Sequence, residues 1–381
     1  MRLIVTGGGS GGHLSPALAV IEKLKKRLDI LFIGGTLGME GTRGPSVEQT
    51  VLPKTDIPYV FISAGKLQRS ISLTSPILLL GIIPGLIQSL YHLLKFKPDL
   101  IFSTGGFVSV PVVITGWFLR IPIIIHEQTA AVGLANKIGG LFAKKVAISF
   151  LSSEKEFAKE KVVLTGNPVR SGILAVRSKR LSALQGDPLH AQVVPLIYVT
   201  GGALGSHIIN EAVKKILPYL LEKYLVVHQC GDNEVYQDYA KLLELKNQLP
   251  PELKSRYTLL KYLDENQLAQ VFEKTLFVIS RAGANTVNEL MALGIPAILV
   301  PIPWVTNNEQ YKNARVLVNL GLGSIVAENE LTPEGLLQEI ETFEKREEEL
   351  KGRSLVVLAK EWPDAAEKLA EIIMEEIGTR G

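Results

Sequence analysis

The sequence contains one cysteine, Cys230, so the chain cannot form an internal disulfide and suits a reducing compartment. We expect Cys230 to act as a small buried apolar residue. The net charge is only +3, a balance that does not favour nucleic acid as a partner.

Metal-binding patterns and a secretory signal are also absent. There is no Asp-x-Asp pair, and histidine and cysteine do not occur together with zinc spacing. We therefore expect no bound metal. The first apolar strand begins almost at the first residue and leaves no room for a signal peptide, which predicts a protein on the cytoplasmic side of the cell.

Charged residues are missing from 70–94, a stretch whose length alone would allow a membrane span. Helix-breaking residues argue against a span; they are Pro76, Gly81, Pro84 and Gly85. We interpret the stretch as an interrupted loop and helix that lies on a membrane surface of anionic lipid. The predicted docking residues are Leu79, Ile83, Trp117 and Phe118. An ordinary buried helix is the alternative.

The amino-acid composition is typical of a globular protein, and predicted apolar strands alternate with predicted helices. Hydrophobic residues make up 46% and charged residues 21% of the 381 residues, which suffice for two domains. The apolar runs are 2–6, 30–34, 58–62, 99–103, 122–126 and 145–149, then 195–200, 224–229, 257–261, 276–280 and 297–301. We predict an α/β protein with two Rossmann-like domains, each built on a parallel sheet.

The expected boundary lies near Gly166. The first domain would span 1–165, with a C-terminal helix at about 362–381 packed back on it, and the second would span 166–361.

Two similar segments, 3–12 and 196–206, each pass from an apolar strand through a glycine-rich turn into a helix. Such a turn leaves backbone N–H groups free to face a phosphate or a sugar. We therefore expect a cleft between the glycine loops of the two domains.

The first segment also satisfies the Gly-x-Gly-x-x-Gly fingerprint of dinucleotide-binding proteins, through Gly7, Gly9 and Gly12. That fingerprint requires a carboxylate about 20 residues further on, at the tip of the second strand. The second predicted strand ends at Gly35-Thr36 without one. The sequence therefore does not favour a nicotinamide dehydrogenase.

A third segment, 281–289, gives a better nucleotide site. Its helix would begin with the free N–H groups of Ala284, Asn285 and Thr286, which favour an anion such as a diphosphate. Glu289 lies about one turn further on, within reach of ribose hydroxyls. The alternative is that Glu289 only complements the helix dipole.

Seven short motifs follow one another through nearly the whole chain. They are Gly11-Gly12-His13, Gly105-Gly106-Phe107-Val108-Ser109, His126-Glu127-Gln128, Leu134-Ala135-Asn136-Lys137, Gly166-Asn167-Pro168-Val169-Arg170, 281–289 and Glu309-Gln310. In this order and spacing they resemble the MurG family of peripheral membrane N-acetylglucosaminyltransferases. The resemblance implies a GT-B fold, with two Rossmann-like domains facing each other across a deep cleft. It also implies inverting transfer of GlcNAc from UDP-GlcNAc to the muramoyl 4-hydroxyl of lipid I, a polyprenyl-diphosphate-linked muramoyl peptide, which gives lipid II for peptidoglycan.

The resemblance further assigns roles to individual residues. It implies that His13 and Glu289 are catalytic, with His13 as general base or orienting group; the alternative is that His13 only hydrogen-bonds the glycine loop. The implied acceptor contacts are Gly105, Gly106 and Glu127. The implied donor contacts are Ser10, Gly11, Gly12, Thr129, Asn136, Arg170, Ala203, Leu263, Ala284, Asn285, Thr286, Val287, Asn288, Glu309 and Gln310. The first three of these also line the acceptor side.

Three residues depart from the family pattern. Thr129 stands where asparagine is common, which puts a donor-sugar contact in question. Ala203 replaces a common serine, so only backbone contacts can remain there. Glu309 stands where glutamine or histidine is usual and would place a carboxylate near the sugar.

Three other functions fit the same sequence features. They are a UDP-sugar transferase acting on another lipid such as diacylglycerol, a UDP-sugar epimerase, and a UDP-binding scaffold without catalysis.

Overall fold

The computed structural model describes residues 1–9, 11–36, 46–63, 76–186 and 194–378. For 76–81 and Thr306 it describes the backbone alone. Ser10 and the side chain of Leu79, both singled out in the sequence, therefore lie outside the described part.

The chain forms two compact units, and unit 1 consists of Met1–Arg170 and Pro363–Gly381. Its strands are β1 (Arg2–Gly7), β2 (Asp29–Gly35), β3 (Tyr59–Ile62), β4 (Leu100–Gly105), β5 (Ile123–Glu127), β6 (Lys145–Ile148) and β7 (Val162–Leu164). They pair in parallel in the order β3-β2-β1-β4-β5-β6-β7. The order reverses between β1 and β4, and ligands of α/β sheets bind at the carboxyl ends of strands at such a reversal.

Helices cover both faces of this sheet. In the first part of unit 1 they are α1 (Gly11–Leu24), α2 (Val47–Val51), α3 (Pro76–Phe96), α4 (Ser109–Phe118) and α5 (Leu134–Phe142). Side chains of β1 alternate between the faces: Leu3 and Val5 pack with α1, and Ile4 packs with α3 and α4. Alternate burial on both faces explains why the strand reads as a continuous apolar run.

Helix α3 passes through Pro84 without interruption, so the predicted break is wrong. Pro76 is the first residue of the helix that the structure describes. Pro84 removes one backbone hydrogen bond from a helix of 21 residues. Gly85 serves packing, because a Cβ there would lie 3.1 Å from Pro111 Cγ on α4. No helix in the described part is long and apolar enough to cross a membrane.

Unit 2 spans Ser171–Trp362. Its strands are β8 (Leu196–Thr200), β9 (Leu225–Gln229), β10 (Tyr257–Leu260), β11 (Thr275–Ser280), β12 (Ala297–Leu299) and β13 (Gly323–Ile325). They form a parallel sheet in the order β10-β9-β8-β11-β12-β13, which reverses between β8 and β11. Two parallel sheets confirm the predicted α/β class.

The helices of unit 2 follow the strands in sequence. They are α6 (Ser171–Leu174), α7 (Arg177–Leu184), α8 (His207–Lys223), α9 (Asp238–Gln248), α10 (Pro251–Ser255), α11 (Glu265–Lys274), α12 (Ala284–Ala292), α13 (Glu309–Asn319), α14 (Pro333–Lys345) and α15 (Glu347–Ala359). The last helix, α16 (Ala365–Gly378), belongs to unit 1. There Leu369 and Ile373 share a core with α1, and Lys23 pairs with Asp364 at 2.6 Å.

The loops after β8 and β9 meet backbone to backbone. Gly205 has φ +74°, and a Cβ on it would overlap the Cys230 carbonyl group. Gly202 has φ +86°, but its Cβ position has no atom within 4 Å. The two glycines therefore share a left-handed backbone and differ in the room beside it.

We expect Gly205→Ala to destabilise unit 2 more than Gly202→Ala. The left-handed conformation costs an alanine about 1–2 kcal/mol, and only Gly205→Ala must also displace a neighbouring loop. Thermal unfolding of the full chain measures this; one kcal/mol corresponds to roughly 2–4 °C in a unit of this size. Equal melting temperatures for the two variants would contradict the close contact.

Candidate functional site

The two glycine loops of unit 1 lie together where the strand order reverses. The Gly8 N–H donates to the Gly105 carbonyl at 3.1 Å. A Cβ on Gly106 would overlap the Gly8 carbonyl group, and Gly105 and Gly106 have φ values of +94° and +84°. Only glycine allows the loops after β1 and β4 to approach this closely.

His13, in the first turn of α1, is held by the end of β4. Its Nδ1 lies 2.8 Å from the Thr104 carbonyl, and the Thr104 hydroxyl donates to the His13 carbonyl at 2.8 Å. Because a carbonyl oxygen only accepts, the contact between Nδ1 and Thr104 favours the tautomer with the proton on Nδ1. That tautomer leaves Nε2 with a lone pair, as a general base requires.

Gln128 completes the surroundings of the His13 ring. Its amide nitrogen lies 2.6 Å from Nδ1, while its Oε1 is buried with no other hydrogen-bond partner in the described part. With the proton on Nδ1, the ring calls for an acceptor at this position, which corresponds to the Gln128 amide with its nitrogen and oxygen exchanged. Burial lowers the pKa of His13, and the hydrogen bond to Thr104 opposes this shift.

Glu127 organises the loop that follows β5. Its Oε1 accepts from the Thr129 N–H at 2.9 Å and the Thr129 hydroxyl at 2.6 Å. Its Oε2 accepts from the Gly133 N–H at 3.2 Å and from Asn136 Nδ2 at 3.0 Å. Burial raises the pKa of Glu127, and the hydrogen bonds from Thr129 and Asn136 oppose this rise. The structure thus places three residues with predicted substrate contacts in one network around the Glu127 carboxyl group.

Arg170 is the last residue of the first segment of unit 1 and is half-buried. The linker before it is attached to β5, because His126 Nε2 lies 3.1 Å from the Gly166 carbonyl. Burial lowers the pKa of His126 to about 4, so its ring is neutral near pH 7 and donates to Gly166.

In unit 2, Arg281 connects three loops at the carboxyl edge of the sheet. Its Nε donates to the Ser206 hydroxyl at 3.0 Å, and its Nη1 donates to the Val300 carbonyl at 3.1 Å. The same nitrogen pairs with Glu328 Oε2 at 2.5 Å. Arg281 therefore fixes the loops after β8, β12 and β13 around the loop after β11.

Gln310 joins two of these loops from α13. Its Oε1 accepts the N–H groups of Ala282 at 3.2 Å and Ile302 at 3.1 Å. Glu309, the first residue of α13, is half-buried. The oxygen of Gln310 thus holds the backbone of two loops.

Helix α12 begins as the sequence indicates. The first backbone hydrogen bond of the helix runs from the Val287 N–H to the Gly283 carbonyl, so the N–H groups of Ala284, Asn285 and Thr286 precede it. Those groups carry the positive end of the helix dipole. Glu289 is 6% exposed on the same helix.

The remaining predicted donor contacts differ in exposure. Val287 is fully buried, and Asn288 Nδ2 donates to the Ala284 carbonyl at 2.8 Å. Leu263 is buried after β10, whereas Ala203 is exposed in the turn after β8. Gly11 and Gly12 are half-buried at the start of α1.

One group of three side chains in the described part could supply metal ligands. The possible ligand atoms of His207, Glu211 and Asp238 lie within 4.8 Å of one another. His207 Nδ1 lies 2.7 Å from Asp238 Oδ1, and Glu211 binds Lys214 at 2.9 Å. These contacts engage the three side chains without an ion.

Exposed apolar side chains gather on α3 and α4 of unit 1. Ile83 and Ile87 on α3 are 45% and 64% exposed, and Trp117 and Phe118 on α4 are 53% and 79% exposed. The two helices pack against each other. We call these four residues the apolar patch.

The sequence does not predict the contacts of several residues at these sites. The Thr104 carbonyl that holds His13 has no side-chain signature, and Glu48, which contacts Gly9, is 39 residues distant from it. Arg281 belongs to one of the seven motifs, but its three partners come from separate loops. Such contacts depend on tertiary structure.

Comparison with known families defines the class of protein. The model of the glycosyltransferase family 28 N-terminal domain matches residues 3–148, and that of the family 28 C-terminal domain matches 196–369. Together with the two parallel-sheet units, these matches define a glycosyltransferase.

Curated relatives extend along nearly the whole chain. The UDP-N-acetylglucosamine–N-acetylmuramyl-(pentapeptide) pyrophosphoryl-undecaprenol N-acetylglucosamine transferase 2 of Bacillus thuringiensis subsp. konkukian (strain 97-27) is 37% identical over 355 residues, covering 92% of this chain and 93% of that protein. The corresponding transferase of Legionella pneumophila (strain Paris) is 32% identical over 377 residues, covering 98% and 96%. The chain therefore belongs to the MurG family.

Solved structures share the fold. The crystal structure of Acinetobacter baumannii MurG has a TM-score of 0.72 at 24% identity and covers 98% of this chain and 99% of that one. A UDP-GlcNAc 2-epimerase from Neisseria meningitidis, bound to UDP-GlcNAc, has a TM-score of 0.63 at 13% identity and covers both chains fully. Transferases and epimerases thus use one architecture, and these likenesses establish the fold alone.

We expect the His13 ring to be neutral at pH 7, with its proton on Nδ1, and to protonate only below the ordinary value of 6.5. The reason is that burial disfavours the charged form. Nitrogen-15 NMR of histidine-labelled protein measures both properties, and His13→Gln assigns the resonance. A proton on Nε2 at pH 7, or a pKa above 6.5, would contradict the described environment.

Proposed function

We propose that this protein transfers GlcNAc from UDP-GlcNAc to the muramoyl 4-hydroxyl of lipid I and so forms lipid II. Two observations, one in each unit, carry the proposal: in unit 1 a half-buried histidine is held by the end of β4, and in unit 2 three N–H groups precede the first hydrogen bond of α12. Family membership and the names of the curated relatives support the same reaction.

In unit 1, His13 acts as the general base for the acceptor hydroxyl. Its Nδ1 proton is committed to the Thr104 carbonyl, so Nε2 receives the proton of the attacking hydroxyl. As the oxygen–carbon bond forms at C1, the bond between C1 and the diphosphate breaks, and the α-linked sugar becomes β-linked. The acceptor diphosphate binds at the loop that contains Gly105 and Gly106.

In unit 2, the start of α12 receives the leaving diphosphate. Negative charge grows on that group in the transition state, and the first turn of α12, from Ala284 to Thr286, carries the positive end of the helix dipole. Glu289 binds the ribose hydroxyls. We propose that this helix end stabilises the leaving group and that the reaction needs no metal ion.

The direct test of this function is an assay with labelled UDP-GlcNAc, lipid I and EDTA. We expect lipid II to form. Removing the general base with His13→Ala should lower kcat by about 100-fold or more, with unchanged UDP affinity. Glu289→Gln should mainly raise the KM for UDP-GlcNAc.

The controls separate the rival functions. Sugar conversion without any acceptor would identify an epimerase, and transfer to diacylglycerol would identify another lipid glycosyltransferase. UDP binding without turnover would identify a scaffold. Activity that disappears in EDTA and returns with magnesium would contradict the metal-free mechanism.

We also propose that the apolar patch docks the protein on the cytoplasmic face of the cell membrane, where a polyprenyl-linked acceptor would lie. Exposed aromatic and aliphatic side chains gain free energy on leaving water. Lys95 lies in the last turn of α3, Lys97 follows α3, and Arg120 lies two residues after α4. Positive charge at the ends of these helices favours anionic head groups.

We expect Ile87→Glu and Phe118→Glu to weaken binding to vesicles of phosphatidylglycerol and phosphatidylcholine. Each variant replaces apolar area at the membrane surface with a charge. Val356→Glu, which changes an exposed residue of unit 2, serves as the control. Vesicle cosedimentation measures the effect, and unchanged binding by folded patch variants would contradict the docking surface.

A further inference from the structure

The glycine loop after β1 carries the dinucleotide fingerprint, but the chain itself already uses its N–H groups. The Gly8 N–H donates to Gly105, and the Gly9 N–H donates to Glu48 Oε1 at 2.6 Å. In dinucleotide-binding proteins the second glycine of the fingerprint, here Gly9, allows the backbone to approach the pyrophosphate. The Gly9 N–H could donate to a phosphate oxygen, but here it donates to a carboxyl oxygen of Glu48.

Glu48 is fixed in this position by the start of α2. Ser46 caps that helix: its hydroxyl oxygen accepts the Gln49 N–H at 3.3 Å, and Gln49 Oε1 accepts the Ser46 N–H at 3.0 Å. The Ser46 hydroxyl donates to the Gly35 carbonyl at the end of β2, at 2.8 Å. The capping box therefore attaches α2 to the sheet and directs Glu48 toward the glycine loop.

The Glu48 side chain lies beside two glycines, Gly8 and Gly34. It is fully buried, and a Cβ on Gly8 would overlap Glu48 Oε1. A Cβ on Gly34 would lie 3.4 Å from Glu48 Cβ. Glycine at position 8 thus makes room for this carboxyl group, whereas Gly34 only contacts the first carbon of the side chain.

The second carboxyl oxygen, Oε2, is buried and has no hydrogen-bond partner in the described part of the chain. Burial raises the pKa of Glu48, and hydrogen bonds from its own N–H and from the Gly9 N–H oppose the rise. A phosphate brought to the same loop would meet an occupied volume. An ionised Glu48 would in addition repel the phosphate, in a place that is poorly solvated.

We propose that Glu48 is a specificity-determining residue that occupies the phosphate position of the N-terminal glycine loop and excludes diphosphates from it. The consequence for the acceptor rests on the proposed function: its diphosphate is directed to the neighbouring loop of Gly105 and Gly106. The loop after β1 is left to position the start of α1 and His13.

The test is calorimetric binding of inorganic pyrophosphate to the full-length protein saturated with UDP. Glu48→Ala removes both bulk and charge and frees the Gly9 N–H, so we expect pyrophosphate affinity to rise by about tenfold or more, and to fall again at high salt. Glu48→Gln keeps the bulk and an acceptor for Gly9, so its affinity should lie between those of the wild type and the alanine variant. Glu160→Gln removes an exposed carboxylate of the same unit and should leave affinity unchanged.

A folded Glu48→Ala protein with unchanged UDP affinity that binds pyrophosphate no more tightly than the wild type would overturn the proposal. If that variant does not fold, unchanged pyrophosphate affinity in Glu48→Gln overturns it instead. A residue with a purely structural role would lower stability without creating anion binding. The measurement uses neither acceptor nor turnover, so failure of lipid II synthesis would be a separate result.

Discussion

Close backbone contact between glycine loops is the constraint on which the rest of the structure depends. In unit 1 the Gly8 and Gly106 backbones touch, and in unit 2 Gly205 meets the Cys230 carbonyl. Both contacts lie at the carboxyl edge of a parallel sheet, next to a reversal of strand order. Because no side chain separates the loops, the N–H and carbonyl groups of one loop are placed by the other.

Polar side chains then complete these loop structures. Glu127 collects four hydrogen bonds in unit 1, while Arg281 and Gln310 join loops in unit 2. Buried hydrogen bonds depend on the exact positions of their partners, so such networks favour one loop arrangement. Several motif residues thus hold backbone in place, and in each unit the group of the proposed mechanism, His13 in unit 1 and the start of α12 in unit 2, depends on them.

The sequence predicted the class of fold because apolar strands buried on both faces leave an unmistakable pattern. The runs around Leu3 and Ile197 coincide with β1 and β8, and the helix start at Ala284 was foreseen from its glycine-rich loop. The predicted break at Pro84 was wrong because a long, packed helix tolerates the loss of one hydrogen bond.

Features that depend on distant contacts could not be predicted in this way. The tautomer of His13 is set by the Thr104 carbonyl, 91 residues further on, and the carboxyl group of Glu48 comes from a helix of five residues. The dinucleotide fingerprint spans the end of β1 and the start of α1, as the sequence predicts. Whether this turn can bind a phosphate depends on Glu48, which contacts Gly9. The spacing of residues along the chain does not reveal that contact.

The central claim is that the glycine-rich loop after β1 and the glycine-rich loop before α12 have different functions. The nucleotide binds at the start of α12, and the loop after β1 positions His13. Hydrogen–deuterium exchange of the full-length protein with and without UDP tests it most directly. The account predicts slower exchange at the amides of 283–289 and unchanged exchange at 7–13. Protection of 7–13 by UDP, with none at 283–289, would contradict it.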